Sequence, residues 1–204
     1  MKSPARAFRL SAAEFRRKFA RRTSDDRRDA RATATRIVED VRARGDGAVL
    51  EYATRFDGSR AVRPSDLRVP AAAFARADRS VSAAEKDAIR YAARRIRVFH
   101  ERTMISATRD GGLYPEGGAL LGEITRPLRR VGVHVPAGTR PLPSSLLMAA
   151  IPAQVAGVKE IAVVSPPKSE SVPHPAILFA ARILGIREVY AVGGGKLGLS
   201  GPTL

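Results

Sequence analysis

The stretch that decides the fold covers residues 129–195 and reads RRVGVHVPAGTRPLPSSLLMAAIPAQVAGVKEIAVVSPPKSESVPHPAILFAARILGIREVYAVGGG. Its three apolar runs, at residues 131–135, 159–165 and 188–192, are typical of buried parallel strands. The segments between them have apolar residues at helical spacing and end at Gly157 and Gly185, where glycine can adopt the left-handed cap conformation. This alternation predicts a βαβαβ unit with right-handed crossovers, which is half of a doubly wound, Rossmann-like sheet.

The sequence before residue 129 has a mostly helical pattern. Helices are predicted over residues 25–44, 46–57 and 82–103, with residues 67–69 as a brief strand or extended link. Ser82 and Glu85 have the spacing of a capping box at the start of the third helix. Asp46 is predicted to cap the second helix, and Ser144 or Ser145 is predicted to cap the first helix of the βαβαβ unit. We divide the chain into an N-terminal arm (1–24), the first part of a helical and α/β domain (25–128), the first half of a nucleotide-binding domain (129–195) and a divergent tail (196–204).

Composition excludes several classes of function. The chain has no Cys, which excludes disulfides, thiolate zinc sites and Cys nucleophiles and fits a cytoplasmic protein. No apolar run approaches the roughly 18 residues of a membrane span. The net charge of +16 would suit a nucleic-acid-binding protein, but the arginines are dispersed without one long basic block, so we favour solvated helix faces.

The basic N-terminus is also compatible with a transit peptide, although an arm that packs on the body or on a partner subunit is favoured.

The loop at residues 136–145 follows the first strand of the βαβαβ unit, where open α/β sheets bind ligands. Backbone amides near Gly138 and Thr139 could meet an anion, and a purely structural turn is the alternative. The glycine run at residues 193–195 is a second place where backbone can approach a ligand, and His134 lies beside the first loop. His100 and His174 are expected to be solvated or locally hydrogen-bonded. No metal-ligand or catalytic spacing is recognisable.

Several collinear segments carry a family resemblance. RPLRRVGVHVPAGTRPLPSSLLMAAIPAQVAG at residues 126–157, KEIAVVSPP at 159–167 and VYAVGG at 189–194 closely resemble histidinol dehydrogenases. Upstream, VRARGD at 41–46, YATRFDG at 52–58 and RIRVFHE at 95–101 fit the first domain of the same family. Because the match extends in order over about residues 30–194, it is much more specific than any single motif.

The resemblance implies a zinc- and NAD-dependent homodimeric enzyme that oxidises L-histidinol to L-histidine through L-histidinaldehyde, the last step of histidine biosynthesis. It also implies cofactor-binding roles for His134, Pro136, Gly138, Thr139, Gly193, Gly194 and Lys196. Two of these depart from the family pattern. The family usually has Tyr where this chain has His134, and a cofactor-binding Gln where it has Lys196, which cannot accept a hydrogen bond.

The family's zinc ligands and its catalytic Glu-His pair cannot be mapped onto any residue of this sequence. We therefore expect a truncated or frameshifted portion of a histidinol dehydrogenase, with no catalytic residue and no zinc of its own, inactive alone. The alternatives are a non-catalytic NAD-binding or dimerisation remnant, or a basic nucleic-acid-binding protein.

Overall fold

The computed structural model describes residue 11 and residues 13–14, 25–110, 114–122, 126–136, 141–168 and 172–193. Its helices are α1 (Asp25–Arg44), α2 (Asp46–Asp57), α3 (Ala71–Ser80), α4 (Ala83–Asp110), α5 (Pro143–Val155) and α6 (Pro175–Ile183), with a 3-10 turn at Pro64–Leu67. Its strands are β1 (Tyr114–Glu116), β2 (Ala119–Leu121), β3 (Arg130–His134), β4 (Glu160–Ser165) and β5 (Glu188–Ala191). The expected fold class, a helical first part followed by a Rossmann-like βαβαβ unit, is confirmed.

The main sheet has the strand order β3-β4-β5, and both pairs are parallel. Its register places His134 beside Val164, and Val164 beside Tyr190, so these three residues lie in one row on one face. The segment after the 3-10 turn extends the sheet beyond β5, because Arg68 forms an antiparallel bridge with Tyr190. Strands β1 and β2 form a separate antiparallel hairpin.

One face of the sheet is covered by α3, α4, α5 and α6. The strands contribute Val133, Val163 and Val189 to this core. The helices contribute large side chains that are fully buried, among them Leu146, Ile151, Ile177 and Phe179. The short apolar β-branched strands and the apolar helices thus form the main hydrophobic core.

The opposite face is covered by α2. Ala53 of this helix packs with Ala162 of β4, with Tyr190 of β5 and with Val192, which directly follows β5. Helix α1 packs in turn on α2 through a small cluster that consists of Ile37, Val41, Ala48 and Tyr52. The cores therefore join segments on both sides of residue 128, and the division into domains at this point stays a prediction.

Two of the predicted helix caps are wrong. Gly45, not Asp46, occupies the cap position of α2, and Asp46 is instead an acidic residue in the first turn, where the helix dipole favours it. Helix α5 begins at Pro143, so Ser144 and Ser145 already lie inside the helix. Proline at the first helical position is pre-organised for the helix, which is why the helix starts before the serines.

The other predicted helix starts are confirmed. Glu85 N–H donates to Ser82 Oγ at 3.3 Å and Ser82 N–H donates to Glu85 Oε2 at 3.2 Å, which completes the capping box of α4. His174 caps α6, because its Nδ1 accepts a hydrogen bond from Ala176 N–H at 3.2 Å. That nitrogen is therefore engaged in local structure.

Candidate functional site

The carboxyl ends of β3, β4 and β5 meet at one edge of the sheet, because the strands are parallel. We call this the carboxyl edge and define it by His134, Ser165 and Gly193. Neighbouring strands are about 4.8 Å apart, so β3 and β5 are separated by about 10 Å across the edge. His134 lies in the same row as Tyr190, and Gly193 is three residues further along, so about 14 Å separates His134 from Gly193. A ligand that bridges the two outer strands would therefore have to be elongated.

His134 ends β3 on the face of the sheet that carries α2, but its side chain is exposed. Although the ring is exposed, neighbouring protein atoms remove part of its hydration, and this desolvation lowers the pKa of His134 below its ordinary value of 6.5. The imidazole is therefore neutral at pH 7 and offers one hydrogen-bond donor and one acceptor. An exposed, neutral, flat ring at a strand end is able to stack on a base or hydrogen-bond to a ligand.

Pro136 marks the point where the chain leaves the sheet after β3. Val135 is fully buried, and its N–H donates to Val164 C=O at 2.9 Å, which continues the pairing with β4 one residue beyond β3. Pro136 follows it and is exposed. The predicted ligand residues Gly138 and Thr139 lie outside the described residues.

Gly193 follows β5, and its backbone N–H donates to Asp57 Oδ2 at 2.7 Å. Asp57 is the last residue of α2, which lies on the face formed by Tyr190 and Val192. The predicted ligand residues Gly194 and Lys196 lie outside the described residues. At the described end of β5, the backbone is therefore held by a side chain from the first part of the protein.

Ser165 ends β4 and is completely buried. Its Oγ has no hydrogen-bond partner within the described part of the chain. Since buried hydroxyl groups are normally hydrogen-bonded, this polar atom at the carboxyl edge is a candidate ligand contact. Sequence reasoning missed Ser165, although a polar residue that closes an apolar strand just before Pro166 was a usable signal.

The remaining histidines are not at the carboxyl edge. His100 is on α4, where its ring contacts the Phe99 ring edge-on at 5.2 Å between centroids. His174 caps α6 as described above. Across the described ranges, no three His, Cys, Asp or Glu residues converge as metal ligands. Within those ranges no helix is both long enough and apolar enough to cross a membrane.

A parallel sheet with helices on both faces and ligand-competent groups at the ends of its strands defines a Rossmann-like α/β protein. Comparison with known proteins gives the family: the histidinol dehydrogenase family profile matches residues 20–196. The chain belongs to the histidinol dehydrogenase family.

Individual relatives agree with the family profile. The histidinol dehydrogenase of Deinococcus radiodurans is 47% identical over 161 residues, and that of Thermococcus kodakarensis is 43% identical over 158 residues. These alignments cover 79% and 78% of this chain but only 35% and 39% of the relatives. The crystal structure of histidinol dehydrogenase from Elizabethkingia anophelis superposes with a TM-score of 0.71 at 31% identity, over 81% of this chain and 37% of that one. The chain thus spans little more than a third of the length of these relatives.

Proposed function

We propose that this chain supplies the first half of the NAD-binding unit of a histidinol dehydrogenase, the enzyme that oxidises L-histidinol to L-histidine through L-histidinaldehyde. The observation that carries the proposal is the carboxyl edge of a parallel sheet, which holds an exposed neutral His134 at one end and a fixed peptide at Gly193 at the other. Family membership supplies the reaction class. The same membership supports a cytoplasmic homodimer that acts in the last step of histidine biosynthesis.

The described residues fit a dinucleotide in two respects. His134 exposes a flat ring beside the loop after β3, on the face that carries α2. Ser165 brings to the end of the neighbouring strand a buried hydroxyl without a hydrogen-bond partner among the described residues, and it lies on the opposite face of the sheet. The two groups would therefore contact different parts of the cofactor. A bound NAD would supply the hydride acceptor. The proposed role of these residues is binding only.

The described residues do not fit the family's zinc. A zinc site without Cys requires three or four carboxylate or imidazole ligands close together. The described part of the chain contains no such group of three. Because the chain spans 35–39% of its relatives, we propose that these 204 residues alone do not oxidise histidinol.

A second candidate is a non-catalytic module that binds NAD or a partner subunit. It is favoured by the apolar side chains that α4 exposes: Tyr91 is 59% and Phe99 64% accessible. Large aromatic side chains on one helix are typical of surfaces that contact another subunit. Dimerisation of the purified chain without any dehydrogenase activity would support this reading.

The experiment is to measure NAD binding by calorimetry for the 204-residue chain and for variants that restore the family's residues, H134Y and K196Q. We expect weak binding by the unaltered chain and affinity several-fold higher in each variant, because Tyr adds stacking area and Gln adds an acceptor. H100Y and K159Q are the matched controls, since His100 is on α4 and Lys159 precedes β4, away from the carboxyl edge. Absence of NAD binding in every variant, or equal gains in the controls, would contradict the proposal.

A further inference from the structure

The contact between Asp57 and Gly193 joins residues that are 136 positions apart in the sequence. Asp57 ends α2, and the next residue, Gly58, has φ 65° in the left-handed cap conformation, which turns the chain away from the helix. The side chain of Asp57 is consequently left at the tip of the helix. From there one carboxylate oxygen accepts the Gly193 N–H at 2.7 Å.

The approach is so close that residue 193 has no room for a side chain. A Cβ atom built on Gly193 would lie 2.4 Å from Asp57 Oδ1 and 2.9 Å from Asp57 Cγ. Real Cβ atoms do not approach other atoms this closely, so any larger residue would displace the carboxylate. A side chain at position 193 is therefore incompatible with the present position of the Asp57 carboxylate.

Helix stability does not explain an aspartate at this position. A carboxylate in the last turn faces the negative end of the helix dipole, which is unfavourable. The hydrogen bond from Gly193 compensates for this, and a hydrogen bond to a charged group is stronger than one between neutral groups. The two sides of the contact are held by packing, because Ala53 of α2 and Val192 before Gly193 belong to the same buried cluster.

We infer that Asp57 is a positioning residue for the dinucleotide site: its carboxylate fixes the Gly193 peptide at the carboxyl edge. This inference rests on the proposed function. Under it, Gly193 serves the cofactor through the position of its peptide, since its own N–H is already bonded to Asp57. The first part of the protein thus acts on a ligand site that the βαβαβ unit presents.

The test measures NAD affinity by calorimetry, thermal stability, and hydrogen exchange of the Gly193 amide by NMR in D57A and D57N. We expect D57A to lose about tenfold in NAD affinity, the loss of one hydrogen bond to a charged group, together with the protection of the Gly193 amide. D57N retains an acceptor oxygen and is expected to stay within about threefold of the unaltered chain. D46A is the matched control, because it removes an aspartate from the other end of the same helix.

The readouts separate a positioning role from a structural one. D46A is expected to lower thermal stability without changing NAD affinity or Gly193 protection. If D46A weakens NAD binding as much as D57A does, Asp57 acts only through helix stability and the inference is overturned. If the unaltered chain and D57A bind NAD equally, the inference alone is overturned. If the unaltered chain binds no NAD, the proposed function fails and the inference fails with it.

A double-mutant cycle tests the contact itself. G193A should weaken NAD binding about as much as D57A, because its Cβ displaces the carboxylate and breaks the same hydrogen bond. In the D57A background that carboxylate is absent, so the additional effect of G193A should shrink. Equal effects of G193A in both backgrounds would overturn the inference.

Discussion

The two faces of the parallel sheet differ in how completely they are covered. Helices α3 to α6 cover one face, where Val133, Val163 and Val189 of all three strands are buried. On the other face α2 covers Tyr190 and Ala162, but Gly132 and His134 of β3 are exposed. The side of β3 that bears the candidate ligand residue is therefore also the side that the described elements leave open.

This difference separates the source of stability from the candidate site. Parallel sheets are normally covered on both faces, and ligands bind where the strands end. Here the covered face provides most of the apolar burial, whereas the open face provides the exposed ring and the fixed peptide of the carboxyl edge. We expect changes on the covered face to affect folding, and changes near the carboxyl edge to affect ligand affinity first. The strand face and edge that the described elements leave uncovered also favour aggregation.

The largest effect is expected from F179A on the covered face. Phe179 is fully buried, and the cationic groups of Lys86, Arg90 and Arg182 lie over its ring. Truncation should lower the free energy of unfolding by about 3–5 kcal/mol, because it leaves a cavity in the core. Urea denaturation followed by circular dichroism measures this loss.

The control for F179A is V164A, a truncation on the opposite face, where Val164 is only partly buried. It should cause a clearly smaller loss than F179A. If F179A does not fold at all, the milder F179L carries the comparison. Equal losses in the free energy of unfolding would show that the open face contributes as much stability as the covered face, and would contradict the proposed difference between them.

Most of the fold could be predicted because local sequence patterns indicate where its strands and helices begin and end. Apolar runs between turn residues predicted β3, β4 and β5, and the glycines at 157 and 185 have the positive φ angles expected after α5 and α6. The errors were also local. Asp46 and Ser144 are common capping residues, but Gly45 and Pro143 determined where the helices begin. Capping preferences differ by only about 1 kcal/mol, so neighbouring residues decide between them.

The site was less predictable than the fold. His134 and Gly193 were predicted from their places at strand ends, and the structure brings both to the carboxyl edge. Asp57 was interpreted only as the end of a helix, although it belongs to the segment YATRFDG that resembles the family. A hydrogen bond between residues 136 apart leaves no periodic signal in the sequence. Burial of the Ser165 hydroxyl was unpredictable for the same reason: it depends on how the whole edge packs.

A smaller effect is expected from Y190F, which removes one polar group from the face covered by α2. Tyr190 is largely buried, and its hydroxyl donates to Glu188 Oε1 at 2.9 Å. Loss of this bond should lower the free energy of unfolding by about 1 kcal/mol, because Glu188 keeps its second partner, Arg130. Urea denaturation of Y190F beside Y91F, which alters an exposed tyrosine on α4, measures the difference. A loss as large as that of F179A would contradict the view that this face contributes less.

The smallest effect concerns the pH dependence of the contact between α1 and α2, the layer outside the less covered face. Arg44 Nε donates to Asp40 Oδ1 at 2.6 Å and Tyr52 Oη donates to Asp40 Oδ2 at 2.7 Å, and these bonds lower the pKa of Asp40 from 3.8 to about 2. Since the folded state holds the ionised form, the contribution of Asp40 to stability is fully present above pH 4 and is lost as the pH falls toward 2.

Denaturation midpoints of the unaltered chain and of D40N, measured from pH 5 down to pH 2, should therefore converge at the acidic end. Other carboxylates with lowered pKa values, such as Asp66, titrate in both chains and cancel in this difference. A constant gap between the two chains over the whole range would mean that Asp40 contributes through packing alone, and that α1 is attached to α2 by its apolar cluster without help from this charge.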